Sequence, residues 1–397
     1  MTDFSVTKAQ FHLPEGVIYL DGNSLGPMPK TALNRAKHVM SDEWSELLIG
    51  AWNKADWFHL PRGVGKRIEP LIGAEAGTVM TGDTLSIKVF QAVSAALQLR
   101  PDRKIVVSDT GNFPTDLYMA KGLLSHMGPR YELRVVEPHQ VEGVIDEDVA
   151  AVMLTHVDYR TGQMYDMARL TKKMHDAGAI SIWDLAHSAG ALPVNICDCG
   201  AEFAVGCTYK YLNGGPGAPA FIYVRPDLVE KVDPILAGWM GHADPFDFDL
   251  DYRPGAGIDR MRVGTPPIVQ MSILEEALKI WETVNLRALR ARSIELCEQF
   301  IEGIEARCPE LKLISPRSAD IRGSQVAFAF EDGFAVMQAL AARGVIGDFR
   351  APDVMRFGFT PLYIDAEDVA QAIEIVADVL RSKAYVEPEY QKRGAVT

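Results

Sequence analysis

Two stretches decide how this chain folds: Ile180-Ser181-Ile182-Trp183-Asp184-Leu185-Ala186-His187 and Phe203-Ala204-Val205-Gly206-Cys207-Thr208-Tyr209-Lys210. Each is a short, almost wholly apolar run that closes on an ionisable group, Asp184 in the first and Lys210 in the second. Runs of this kind are what a strand buried on both faces of a parallel sheet requires. Ligands of such sheets sit beyond the carboxyl ends of the strands, so both groups belong to one functional edge. Moving outward, Thr78 to Met80, Lys104 to Ser108, Ala151 to His156 and Ala220 to Val224 repeat the pattern. Helical stretches alternate with them. Leu85 to Leu99 follows the cap candidates Asp83-Thr84, and Met167 to Ala177 stops at Gly178. The alternation predicts an α/β fold with a mostly parallel sheet.

Beyond Thr265-Pro266-Pro267 the texture changes. Ile268 to Val284 and Leu286 to Ala306 read as long helices, Ser324 to Phe330 as a strand, and Gly333 to Arg343 and Ala366 to Ser382 as closing helices. We therefore divide the chain into residues 1–265, an N-terminal arm and a large domain, and residues 266–397, a smaller α+β C-terminal domain. The arm, up to about Ala51, can pack on either. A length of 397 residues agrees with such a division, at about 150 residues per domain.

Composition narrows the function. Hydrophobic residues make up 48% and charged residues 23%, an ordinary globular mixture, and no run is long and apolar enough for a membrane span. The net charge of −13 repels nucleic acid and anionic membrane, so an anionic ligand has to be held by a local site. The five cysteines, Cys197, Cys199, Cys207, Cys297 and Cys308, have neither disulfide-framework nor zinc spacing, and no metal is expected. The opening MTDFSVTKAQFHLPEG lacks a basic start and an apolar core, so no secretory signal is read there and a cytoplasmic location is expected.

Collecting the polar residues just after each strand gives Gly82-Asp83-Thr84-Leu85-Ser86 at a helix start, Asn112-Phe113-Pro114-Thr115-Asp116, Thr155, Asp184 with His187, and Thr208-Tyr209-Lys210. Pyridoxal 5′-phosphate needs a lysine amine, an acid opposite its pyridine nitrogen and N–H donors for its phosphate. Lys210, Asp184 and the helix start at Leu85-Ser86 supply these types, and Phe113 supplies a ring face. The Asn213-Gly214-Gly215-Pro216-Gly217 turn that follows strengthens the Asp184 and Lys210 pairing.

Several runs together resemble the kynureninase family: Tyr19-Leu20-Asp21-Gly22-Asn23-Ser24-Leu25-Gly26, Phe113 to Asp116, Trp183 to Gly190, Cys207 to Gly217 and Gly238-Trp239-Met240-Gly241-His242. The resemblance extends over nearly the whole chain. It implies a fold-type-I pyridoxal-phosphate enzyme with a seven-stranded sheet, of the class V aminotransferase kind, that splits L-kynurenine into anthranilate and L-alanine in tryptophan degradation. It further implies that Lys210 bonds the cofactor, Asp184 pairs with its ring nitrogen, Phe113 stacks on it and His187 lies beside it, with Leu85, Ser86, Asp116, Thr155 and Tyr209 as further contacts. Trp239 and Thr265 match positions that complete the site across a homodimer interface, and Arg356 matches the arginine that holds the substrate carboxylate. A guanidinium fork suits that task on its own chemistry. Trp52 with Gly264-Thr265 resembles the pattern that prefers kynurenine over its 3-hydroxy derivative, and Tyr209 is the candidate proton donor. His242 is left between the ring pocket and the interface, and Arg350 is read as a surface or interdomain charge. A cysteine desulfurase or selenocysteine lyase activity, which needs a cysteine on a mobile loop, and a silent cofactor-binding protein are the competing readings.

Overall fold

The computed structural model describes residues 2–392. Its main sheet has seven strands, in the spatial order Val79–Thr81, Phe221–Val224, Phe203–Gly206, Ile180–Asp184, Val149–Thr155, Ile105–Asp109 and Glu132–Val136. Phe221–Val224 runs antiparallel to both neighbours and every other pairing is parallel. The central strands Val149–Thr155 and Ile180–Asp184 are buried at every residue, as their uninterrupted apolar sequence requires. Six of the seven strands lie where their apolar runs predict. The edge strand Glu132–Val136 carries Glu132 and Arg134 and is only partly buried, so it has no such run.

Helix Leu85–Leu99 has the predicted limits, and Met167–Asp176 begins after Asp166, whose side chain accepts a hydrogen bond from the Arg169 amide. Helix Pro114–Met127 was read in sequence only as a polar strand end. It starts with proline, whose missing N–H costs nothing in a first helical turn.

The second sheet has four antiparallel strands, ordered Asp348–Arg350, Val354–Gly358, Gln325–Ala329 and Lys312–Leu313. Helices Leu286–Arg307, Gly333–Ala342 and Ala366–Ser382 accompany it. Two segments make contacts on either side of the boundary expected near residue 265. Strand Ile18–Tyr19 of the arm pairs in parallel with Val345–Ile346, and Lys8 bridges Asp365 and Asp368 at 2.6 and 2.5 Å, which ties the start of the arm to the small domain. Helix Ile268–Leu278 packs against Lys30–His38 and Leu60–Ile72 and buries Met271 and Leu274. It ends in the 3-10 turn Lys279–Thr283, earlier than its apolar pattern suggests. No described helix is long and apolar enough to cross a membrane.

Candidate active site

Lys210 stands just past strand Phe203–Gly206, in a turn closed by the Asn213 amide donating to the Lys210 carbonyl at 3.0 Å. The turn needs a left-handed residue, and Asn213 takes φ 57°. The arm seals it from outside: the Gly26 amide donates to the Tyr209 carbonyl at 2.7 Å, and a Cβ on Gly26 would come within 2.3 Å of the Lys210 carbonyl oxygen. The lysine side chain points into a cavity of about 180 Å³. Nine predicted positions line it: Leu85, Ser86, Phe113, Asp116, Thr155, Asp184, His187, Tyr209 and Lys210. Tyr159, which sequence reasoning missed, is there too, edge-on to Phe113 at 5.2 Å between ring centres.

Lys210 Nζ lies 2.9 Å from His187 Nε2 and 5.9 Å from the centre of the Phe113 ring. Asp184 is buried, and its Oδ1 accepts from the Ala186 amide at 2.8 Å. Burial pushes its acid up to about 6 even though Lys210 pulls it down. Asp116 is equally buried with Oδ2 unpartnered, and burial and then Asp184 drive it well above the carboxylate range. The Tyr209 phenol is raised by the neighbouring Cys207 thiol and by burial, so it keeps its proton at neutral pH.

At the far end of the cavity, helix Leu85–Leu99 begins at Thr84 with no side-chain cap, leaving the first-turn N–H groups of Leu85 and Ser86 free for an anion. The buried Lys88 fixes this entry by bonding Asp83 Oδ2 at 3.1 Å, Gln91 Oε1 at 3.0 Å and the Met261 carbonyl at 3.1 Å. An amine, an incompletely paired buried carboxylate and an uncapped helix start around one cavity fit pyridoxal 5′-phosphate.

A contiguous cavity of about 110 Å³ shares Phe113, Tyr159, His187, Tyr209 and Lys210 and adds Asn23, Ser24, Arg350 and Arg356. Arg356 is buried, its Nε donating to Asp348 Oδ1 at 2.6 Å and its Nη2 to Asp348 Oδ2, while Nη1 donates to the Tyr159 carbonyl. Ser24 donates to Asp348 at 2.6 Å. Burial pushes Asp348 up, but Arg356 outweighs it and the net displacement is downward. Arg350, read in sequence as a surface or interdomain charge, is partly exposed, reaches Asp348 at 2.7 Å and lines the cavity. Nearby Asp21 is lifted to about 7 by burial and by Asp348.

Trp52, Trp239 and Thr265 do not line either cavity in the single chain. Trp52 is half-buried, edge-on to Trp57 at 6.0 Å, and Trp57 Nε1 donates to the buried Glu43 at 2.7 Å. Trp239 is half-exposed among Phe246 and Phe248, and Thr265 is exposed. His242 shapes that loop, taking the Asp244 amide on Nδ1 at 3.0 Å and facing the Asp251 carbonyl at 3.3 Å through Nε2. None of the five cysteines lines the Lys210 cavities.

Residues 289–376 match the family model described as the kynureninase C-terminal domain. The chain is 48% identical to a protein named kynureninase from Pseudomonas fluorescens, over 98% of this chain and 95% of the relative. It is 48% identical to one of the same name from Burkholderia pseudomallei, over the same shares. Among solved structures, a cysteine desulfurase from Thermococcus onnurineus superposes with a TM-score of 0.80 at 18% identity, covering 95% of this chain and 98% of that one. The cysteine desulfurase CsdA from Escherichia coli gives 0.80 and 18%, over 96% and 99%. At that identity they share the fold.

Proposed function

The chain belongs to the kynureninase family, and from that premise we propose that it is a hydrolase of carbon–carbon bonds in ketonic substrates, cleaving L-kynurenine to anthranilate and L-alanine. 3-Hydroxykynurenine is the poorer substrate on this reading, in which Trp52 and Thr265, absent from the cavities of their own chain, act from a second copy: Trp52 would offer an apolar face to the aminophenyl ring, and Thr265 would bring no amide to a ring hydroxyl. The observation that carries this is the joining of the two cavities. The covalent lysine, the ring-nitrogen acid and the anion-binding helix start open directly onto the Arg356 guanidinium, so an amino acid can be held by its carboxylate with its amine beside Lys210.

Pyridoxal 5′-phosphate, when bound, supplies an electron sink for the pairs left at Cα and Cβ as their bonds break. Lys210 would anchor it, and its Nζ, neutral when free, takes the Cα proton of the substrate. Asp184 would accept the N–H of the pyridine ring. The Leu85 and Ser86 N–H groups would hold the phosphate, and Phe113 would lie against the ring. Arg356, held by Asp348, by Ser24 through Nη2 at 3.0 Å and by the Tyr159 carbonyl, reaches the α-carboxylate with its charge and the one Nη1 N–H not already taken. Water adds to the γ-carbonyl, and Tyr209, protonated in this setting, gives Cβ its proton as the Cβ–Cγ bond parts.

The active form is a homodimer in the cytoplasm. Trp239 and Thr265 have no reach into their own chain's cavity, and Trp44, Leu48 and Ile49 on the arm with Phe248 and Leu250 on the Trp239 loop stand exposed, an apolar surface that a second copy would cover. The test is anthranilate fluorescence on mixing cofactor-loaded protein with L-kynurenine, with 3-hydroxykynurenine in parallel and L-cysteine as a sulfide-release control. Rapid anthranilate release supports the reading. Sulfide release without anthranilate overturns it.

A further inference from the structure

We propose that Gln325, a small-domain residue remote from the catalytic strands, is a positioning residue that fixes the tautomer of His187, so that Nδ1 bears the hydrogen and Nε2 offers its lone pair to Lys210. Gln325 lies on strand Gln325–Ala329, is fully buried, and sits 138 residues from His187 in sequence. Its side-chain NH₂ donates to the carbonyls of Asp158 at 3.2 Å and Tyr159 at 3.0 Å. Two acceptors on that side settle the amide's orientation, since a flip would set Oε1 against two carbonyl oxygens. Oε1 therefore faces His187 Nδ1, at 3.1 Å, and can only accept. A neutral imidazole has one N–H, so once Nδ1 carries it Nε2 is an acceptor. Lys210 Nζ lies 2.9 Å from that nitrogen and donates to it.

The imidazolium form is excluded by the same neighbours. It would turn Nε2 into a second donor against Lys210, in a site that burial, Lys210 and Arg356 already make hostile to a positive ring. Gln325 is socketed as well as bonded: a Cβ on Gly162, which takes φ 72°, would come within 2.9 Å of its Cγ.

A consequence follows for the two domains. Gln325 pairs with Gly358 and Ala327 with Arg356, which puts the Gln325 and Arg356 side chains diagonally on one face of the small sheet. Both donate to the Tyr159 carbonyl. The small domain thus grips one peptide of the large domain with two side chains, one facing the substrate carboxylate site and the other setting the hydrogen pattern around Lys210. Displacing the small sheet disturbs both together.

The direct test is nitrogen NMR of protein labelled at histidine, with His187 assigned by the signal lost in His187→Gln. The expected spectrum at neutral pH shows His187 with a protonated Nδ1 and a bare Nε2. The opposite tautomer, or both nitrogens protonated, overturns the proposal, and this needs no altered Gln325. In Gln325→Glu, which places a carboxylate at Nδ1 and gives up the two bonds to the Asp158 and Tyr159 carbonyls, the pH at which the ring protonates should rise, and kcat should fall about tenfold with KM changed less than threefold, as when an orienting partner of a functional histidine is altered. An unmoved titration in a folded Gln325→Glu protein overturns the proposal. The kinetic arm rests on the reading of Lys210 as the cofactor lysine, whereas the tautomer does not, so inactivity of the native protein toward kynurenine with the expected His187 signals would sink that reading alone.

Discussion

The large domain and the small domain each bury carboxylates at the site, and they treat them in opposite ways. Beneath Lys210, Asp184 and Asp116 are out of water without a full set of partners, and both are pushed toward their neutral forms. In the small-domain wall Asp348 is as deeply buried, yet it takes two bonds from Arg356, one from Ser24 and an ion pair from Arg350, and it is held ionised. Burying a charge is costly unless it is paired. The small-domain wall is thus complete as it stands and orients a guanidinium, while the large-domain floor is completed by the ring that binds there.

The largest effect should come from the floor. Lys210→Ala removes the covalent anchor and the base and should lower kcat by about four orders of magnitude, read by anthranilate release. A loss under tenfold would reverse the assignment. Next comes the wall. Arg356→Ala should raise KM about 100-fold and also destabilise the fold by about 3 kcal/mol in denaturant titration, because it leaves a buried Asp348 with only Ser24 and the partly exposed Arg350. The double variant Arg356→Ala with Asp348→Ala should recover most of the stability and none of the KM. If stability stays low, the pairing in the wall is not what the contrast says it is.

A pH series separates the two regions further. Asp184 has a folded pKa of about 6, above the ordinary 3.8, so its burial destabilises the cofactor-free protein above that pH, and the penalty is relieved as pH falls from about 7 to 4. Asp348 has the opposite sign, since its depressed pKa gives stability that is lost only as pH falls below the ordinary carboxylate range. Asp184→Asn should therefore raise the stability of cofactor-free protein by about 3 kcal/mol at pH 8 and leave it nearly unchanged at pH 4. Equal effects at both pH values would break the comparison. The smallest effect belongs to Arg350, which is partly exposed: Arg350→Met should raise KM about threefold with kcat intact, as befits a solvent-screened charge.

What could be read in the sequence was whatever depends on neighbours along the chain. Leu85–Leu99 and Ala366–Ser382 have the predicted limits: the second carries its start signal locally, Asp365 and Asp368 forming a capping box, whereas the cap candidates Asp83-Thr84 make no side-chain cap bond and the first follows its apolar spacing alone. The Asp184, His187 and Lys210 set was legible because strand ends of a parallel sheet converge whatever the loops do. The edge strand Glu132–Val136 was missed because half of it faces solvent. Tyr159, Asp348 and Gln325 left no signal, since a tyrosine in a turn, an aspartate on a strand and a glutamine between Ser324 and Val326 acquire their roles only when two domains meet. Arg350 has its partner Asp348 two residues before it on the same strand, but its place at the site also depends on that strand meeting the large domain.

The arm strand Ile18–Tyr19 finds its partner at Val345–Ile346, and this sets an order of events during synthesis. At roughly 5 to 20 residues per second, some 330 residues separate the two segments by roughly 15 to 65 seconds on the ribosome. The loop Asp21–Gly26 caps the Lys210 turn through Gly26 with groups already made by then, but its contact with Asp348 through Ser24 has no partner until the last third of the chain emerges. A strand of two residues thus serves as the latch that dates the joining of the carboxylate wall to the lysine turn.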